Sequence, residues 1–253
     1  MLLDPTFYMA AVPAVIFAGL AKGGFAGLGL LATPLLTLVV SPLRAAAIML
    51  PILIAQDAVS VWAYRHSWDR RNLVILVPSS ACGILLGYLL AAQVSDAAVT
   101  LTVGLIATVF AARRLVIERA PHPPKARRAD LPRGIFWGSI LGFTSMIAHA
   151  GAPPYQIYVM PQRLAPNVFV GTGAILFAIT NLLKVPPYFD LGQFSRDNLL
   201  ASAVLLPLAV LTTWLGVLIV RRVPAQRFYT LVYSLLVLVG AKLIYDGASG
   251  LLA

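Results

Sequence analysis

The sequence predicts an all-α polytopic membrane protein: two inverted repeats, each a re-entrant or broken helix hairpin followed by three transmembrane helices. Three observations predict it. First, charged residues fill only 11% of 253 positions and hydrophobic residues 60%, with mean hydropathy +0.87; a soluble domain carries about 25% charged residues to coat its surface. Second, the apolar residues come in blocks (45–64, 73–92, 97–112, 167–183, 199–220, 228–241), each with at most one ionisable group, and about 20 such residues cross a bilayer core as a helix. Third, the basic residues collect in the gaps between blocks, as membrane topology demands.

The same composition excludes other classes. Strand-length alternation is absent, which argues against a β-barrel. The net charge of +10 sits in inter-block gaps and so reads as topology, with no nucleic-acid partner. Cys82 is the single cysteine and lies inside an apolar block; it is expected to be a small residue packed between helices, and no disulfide forms within the chain. His66, His122 and His149 are scattered, and neither an HExxH nor a GxSxG motif occurs, so no enzyme, metal or cofactor is expected. Residues 1–5 lack a basic n-region, so the first apolar stretch is expected to be retained.

Element order follows from an internal repeat. The hydrophilic stretch ERAPHPPKARRADLPR divides the chain into a first repeat (1–117), a basic cytoplasmic linker (118–133) and a second repeat (134–253); its prolines forbid a continuous helix. At an offset of 124, Gly27 falls on Gly151, Ser41-Pro42 on Ala165-Pro166, and Gln56-Asp57 on Thr180-Asn181. A few inserted residues bring Asn72 onto Asn198 and Gly87 onto Gly216. Transporters are often built from such repeats.

Positive charge orients them. The gap after 97–112 holds Arg113, Arg114, Arg119, Lys125, Arg127, Arg128 and Arg133 and should be cytoplasmic. Arg221, Arg222 and Arg227 share that side only if 134–163 enters and leaves on one face. Residues 7–40 and 134–163 are interrupted by KGGFAGLG and AHAGAPP. The flanking apolar pieces are about 15 residues or shorter, roughly 22 Å, against a core of ~30 Å. Each segment therefore reads as a hairpin of two half-helices, the first entering from outside and the second from the cytoplasm. One kinked span, or two full spans, is the other arrangement the pattern allows.

Irregular backbone at membrane depth is tolerated only inside protein or along a cavity, so two repeat-related breaks point to a common site. Gly23, Gly24 and Gly27 let the chain turn and bring N–H groups near a ligand, and a half-helix start offers its positive dipole end to an anion. Pro153 and Pro154 suit a first helical turn, with His149 and Gly151 just before it and Gly151 expected at positive φ. Lys22 completes a positive pocket. His149 is read as a hydrogen-bond donor to an oxyanion and a titrating group. Gln56 and Asp57 lie opposite Thr180 and Asn181; Asp57 is the structural partner of Lys22 and the candidate coupling group. Tyr155 and Gln156 add donors. These residues imply a small anionic substrate; the lipid bilayer is the other partner, and the sequence leaves oligomeric state open.

The motifs KGGFAGLGLLATPLL (22–36) and GFTSMIAHAGAPPYQIYVMPQRL (142–164) resemble the paired signatures of the sulfite exporter TauE/SafE family. The resemblance covers essentially the whole chain. It implies transport of sulfite, sulfoacetate, related organosulfonates or other small anions across the inner membrane, with export favoured. By the residues alone, a channel or carrier for carboxylates and a non-transporting membrane scaffold or sensor stay open. An inside-negative potential assists export of an unaccompanied anion by about 2.3 kcal/mol per charge per 100 mV.

The topology is testable. With Cys82→Ala as background, single cysteines placed in 113–133 and in 221–227 should label only from the cytoplasmic side, and both chain ends only from outside. Labelling of 221–227 from outside in intact cells would refute the hairpin over 134–163.

Overall fold

The computed structural model describes residues 4–25, 28–91, 95–118, 127–162, 164–220 and 225–252. Among these the chain forms ten α-helices, two 3₁₀ turns and no strand. The first half holds α1 (Pro5–Gly23), a 3₁₀ turn (Leu28–Leu31), α2 (Ala32–Thr37), α3 (Pro42–Tyr64), α4 (Arg70–Ala91) and α5 (Asp96–Glu118). The second holds α6 (Leu131–Ala148), α7 (Ala152–Val159), a 3₁₀ turn (Met160–Gln162), α8 (Pro166–Asp190), α9 (Arg196–Val220) and α10 (Ala225–Leu252). Over the described residues all six apolar blocks fall within helices. Five helices, α1, α3, α4, α8 and α9, are long and apolar enough to cross a membrane.

α1 and α6 are longer than the apolar pattern alone suggests. α1 has 19 residues and α6 has 18, about 27–28 Å at 1.5 Å per residue, while α2 and α7 have only six and eight. Caps upstream of the apolar runs explain the difference. Asp4 accepts from the Thr6 hydroxyl and the Thr6 amide; these two bonds hold its carboxyl below the usual carboxylate range. Asp130 accepts from the Arg133 amide at 3.0 Å. Each aspartate precedes a proline in the first turn, where no N–H is needed. At the other end α1 runs on through Lys22-Gly23. The short arms α2 and α7 pack back against α1 and α6.

The packing of one half is repeated in the other. α1 lies on α9 as α6 lies on α4, α3 meets α9 as α8 meets α4, and the pairs α3·α8 and α5·α10 join the halves directly. α3 and α8 both start on the residue pair that the repeat aligned, Ser41-Pro42 and Ala165-Pro166. Small residues set the close approaches, as they do between helices in lipid. A Cβ on Gly142 would stand 1.9 Å from the Ser80 carbonyl oxygen, and one on Gly23 would stand 2.5 Å from Gly216 Cα.

Cys82 is exposed on α4 rather than packed between helices. It shares its surface with Leu85, Leu86 and Leu89, each more than half exposed. The reason is that α4 gives its small-residue side, Ser79, Ser80 and Gly83, to α6, leaving the opposite side to lipid. Residues 119–126 of the basic linker, Arg163, Arg221, Arg222 and Gly27 lie outside the described residues.

The α4·α6 seam gives a stability prediction. Gly142→Val should lower the melting temperature of the purified protein sharply, since overpacking against fixed backbone costs about 1–3 kcal/mol or more. Leu85→Ala on the exposed side should leave it nearly unchanged; equal melting of both variants and the parent would refute the seam.

Candidate functional site

Two helix ends inside the protein create the site. The last carbonyls of α1 and α6 run short of helical N–H partners, and ends buried in protein draw further donors from neighbouring helices. α3 supplies them to α1: the Ser60 hydroxyl donates to the Lys22 carbonyl and the Tyr64 hydroxyl to the Gly23 carbonyl, both at 2.6 Å. α8 supplies them to α6: Lys184 Nζ donates to the Ser145 carbonyl at 3.1 Å and the Tyr188 hydroxyl to the Met146 carbonyl at 2.7 Å. Ser60 and Lys184 stand at the repeat offset of 124, as do Tyr64 and Tyr188, the same separation as between Asp57 and Asn181. The i,i+4 spacing puts each pair on one helix face.

The two breaks turn differently. α1 ends on Gly24 at φ 129°, a conformation that favours glycine. α6 ends on His149 at φ 52°, ψ 24°, with the His149 amide donating to Ser145 and the Ala150 amide to the Thr144 carbonyl at 3.1 Å, a Schellman-type closure. A left-handed histidine costs about 1–2 kcal/mol, and ring bonds offset it. Its Nε2 lies 2.7 Å from the Ala46 carbonyl oxygen, which only accepts, so Nε2 carries the proton. Nδ1 is then the acceptor for Lys184 Nζ at 2.7 Å.

Between the breaks lies a cavity of about 110 Å³, room for a few waters at ~30 Å³ each or one small oxyanion. Lys22, Gly24 and Gly29 line it from the first break, Ser145 and His149 from the end of α6. Ala152, Tyr155 and Gln156 line it from α7, and Gly173, Phe177 and Asn181 from α8. Lys22 pairs with Asp57 in a short contact, and its ammonium stands 5.0 Å from the centroid of the Phe177 ring. Asn181 donates to the other Asp57 oxygen at 2.5 Å. Gln156, 3% exposed, has a buried Oε1 without a partner, and among the described residues its amide makes no hydrogen bond. The Gly151 and Ala152 amides also take no backbone partner there, and Pro153 and Pro154 offer none.

The structure thus gathers most of the residues expected from sequence. Lys22, Gly24, His149, Tyr155, Gln156 and Asn181 line the cavity. Asp57 sits directly behind Lys22 and Asn181. Gln56 stands off, its Nε2 donating to the Val15 carbonyl at 3.2 Å. Gly23 belongs to the last turn of α1 and packs on Gly216 instead of opening a loop. Gly151 does not sit at positive φ; His149 does. A Cβ on Gly151 would crowd Ser145, Leu141 and Phe177 at 3.1–3.2 Å, so packing limits this position. The His149 ring is no free donor, because both nitrogens have protein partners. Tyr155 donates its hydroxyl to the Phe169 carbonyl at 2.5 Å and faces the cavity with its ring. Gly27 lies outside the described residues.

Lys184 escaped the sequence reading. It is fully buried, one helical turn beyond Asn181, yet it stands just past an apolar block and there resembles a lysine at a membrane edge. Its position opposite Ser60 in the repeat was the available signal.

A family model described as TauE: Sulfite exporter TauE/SafE matches residues 11–243. No curated protein and no solved structure matches the chain.

Gln156 yields a two-part prediction. Gln156→Leu should leave the ligand-free protein as stable as the parent or more so, since an unpartnered buried polar group costs about 1–3 kcal/mol. The same variant should bind anion at least about tenfold more weakly. Thermal melting and titration with a small sulfonate check both, and a strongly destabilised variant would show that the amide already has a structural role.

Proposed function

The chain belongs to the sulfite exporter TauE/SafE family, and on that premise we propose that it carries small sulfur-containing anions (sulfite, sulfoacetate or related organosulfonates) outward across the inner membrane. The observation that carries the reading is the convergence of both helix breaks on one cavity lined by several hydrogen-bond donors. The Lys22 ammonium and the Gln156 amide reach it, and the Gly151 and Ala152 amides open the start of α7. Such donors suit the several acceptor oxygens of a sulfite or sulfonate group. Asp57 serves as the fixed counter-charge of Lys22, held in place by Asn181.

The architecture that goes with this function is a pair of repeats, 1–117 and 134–253, of opposite orientation and joined by a cytoplasmic linker, 118–133. Support comes from the repeated helix contacts, from the matching carbonyl caps on α1 and α6, and from the basic gaps in the sequence. Sites at repeat interfaces made by discontinuous helices are a recurrent solution for transporters.

Flux into liposomes against a panel of sulfite, sulfonates and carboxylates tests the reading. Sulfonate or sulfite flux should exceed carboxylate flux, and Lys22→Met, which keeps the stem but removes the charge, should weaken anion affinity about 10- to 150-fold. The variant must elute as a folded, monodisperse species. Unchanged affinity in such a protein would reduce Lys22 to a structural partner of Asp57, and absence of flux for every anion would remove the transport assignment.

A further inference from the structure

We infer that Lys184 titrates as the anion binds, so that the site takes up one proton with each monovalent anion and the two cross the membrane together. This rests on the anion-site reading above. The inference begins with the charge balance around the cavity. Lys22 and Asp57 cancel each other in direct contact. His149 is neutral, because Nε2 donates to Ala46 and Nδ1 accepts from Lys184. The remaining charge is that of Lys184, whose residue is fully buried behind the wall that Ser145 and His149 form.

Three polar atoms surround Lys184 Nζ: the Ser145 carbonyl oxygen at 3.1 Å, Ser145 Oγ at 3.1 Å and His149 Nδ1 at 2.7 Å. The carbonyl and Nδ1 only accept, so two N–H bonds are used in either protonation state. The third neighbour is a hydroxyl, which accepts from an ammonium or, after rotating about its C–O bond, donates to the lone pair of an amine. Both states fit without displacement of a heavy atom. Among the described residues an ammonium here touches no carboxylate, and burying an uncompensated charge is costly. A monovalent anion in the cavity supplies the missing negative charge; the amine suits the empty site.

The groups that face Lys184 are accounted for. α1 brings Lys22 and α3 brings Asp57, already paired with each other; α6 brings His149. On α8 itself Tyr188 gives its hydroxyl to Met146. From α4, the other helix packed on α8, Tyr88 bonds Asp190 at the far end of the helix. In the step itself the Ser145 hydroxyl gives its proton to the Nζ lone pair and takes one from a hydronium ion in the cavity water, so two O–H bonds break as one N–H and one O–H bond form, and one proton is drawn from the medium. The loaded site then carries no added net charge. The membrane potential ceases to drive export, and the anion gradient together with the pH difference sets the direction, in place of the expectation for an unaccompanied anion.

Methanesulfonate, whose charge is fixed across the range, is the probe. Added to purified wild-type protein in weak buffer with a pH indicator, it should draw about one proton per anion bound, and its affinity should fall by up to tenfold per pH unit where Lys184 titrates. Lys184→Arg, permanently charged, should bind without proton uptake and with a flat pH profile. Binding by wild type with no proton uptake at any pH from about 6 to 9 would overturn the inference while leaving the anion site intact, as would undiminished uptake in Lys184→Arg. Should that variant not fold, Ser145→Ala keeps the lysine and removes the rotating hydroxyl. It should shift the pH midpoint of affinity by about one unit, and an unmoved midpoint overturns the assignment. No binding of methanesulfonate or sulfoacetate by the wild type would instead overturn the site itself.

Discussion

Stopping a helix inside a membrane protein leaves carbonyl groups that no water or lipid can satisfy, and the rest of this structure depends on how they are met. α1 and α6 both stop short of the short arm that follows them, and in both cases the next long helix supplies hydroxyl or ammonium donors one turn apart. Ser60 and Tyr64 do this for α1, Lys184 and Tyr188 for α6. These bonds fix where each break lies relative to α3 and α8. Because α3 and α8 pack on each other, they also fix the two breaks relative to one another, and the cavity is the space left between them.

Matching helix contacts in the two halves supply the frame, and differences between the halves supply the chemistry. At the capping position the first half has a serine and the second a lysine. At the mid-helix position the first half has Asp57 and the second Asn181, and the two meet across the α3·α8 contact. The lysine of the first half, Lys22, projects from the helix end itself, where the second half uses His149. A strictly symmetric site would double every charge. This one has two lysines, one carboxylate and one imidazole.

Much of the fold was legible because apolar blocks, basic gaps and the 124-residue offset are properties of the whole chain. The aligned pair Gln56-Asp57 and Thr180-Asn181, set opposite one another by the offset, lies at the α3·α8 contact, and the described residues of the two breaks border the cavity. Helix length was less legible: α1 and α6 begin at Asp-capped prolines outside the apolar runs, and α1 continues through Gly23, whose lack of a side chain serves packing on Gly216. Side-chain roles were the least legible. Nothing in the order of residues says that His149 takes the left-handed turn where Gly151 seemed the obvious choice, or that both its ring nitrogens find partners. Lys184 was missed because hydropathy places it at the edge of a block, whereas three-dimensional packing puts its Nζ behind the wall of the cavity.

α1 leans on α9 and α6 on α4, each a helix of the other half of the chain, with contacts so close that a single methyl group on Gly23 or Gly142 would strike backbone. The two halves are interlocked at the very helices that end at the cavity. A change of state at the site is therefore least costly when it moves no backbone. A hydroxyl rotation at Ser145 and a proton on Lys184 alter the charge by one unit while the caps on α6 stay bonded, since Lys184 donates to the Ser145 carbonyl in both states. The same lysine thus keeps the helix end closed and sets the charge that the cavity presents, and the structural duty explains why a lysine is buried here whether or not an anion is bound.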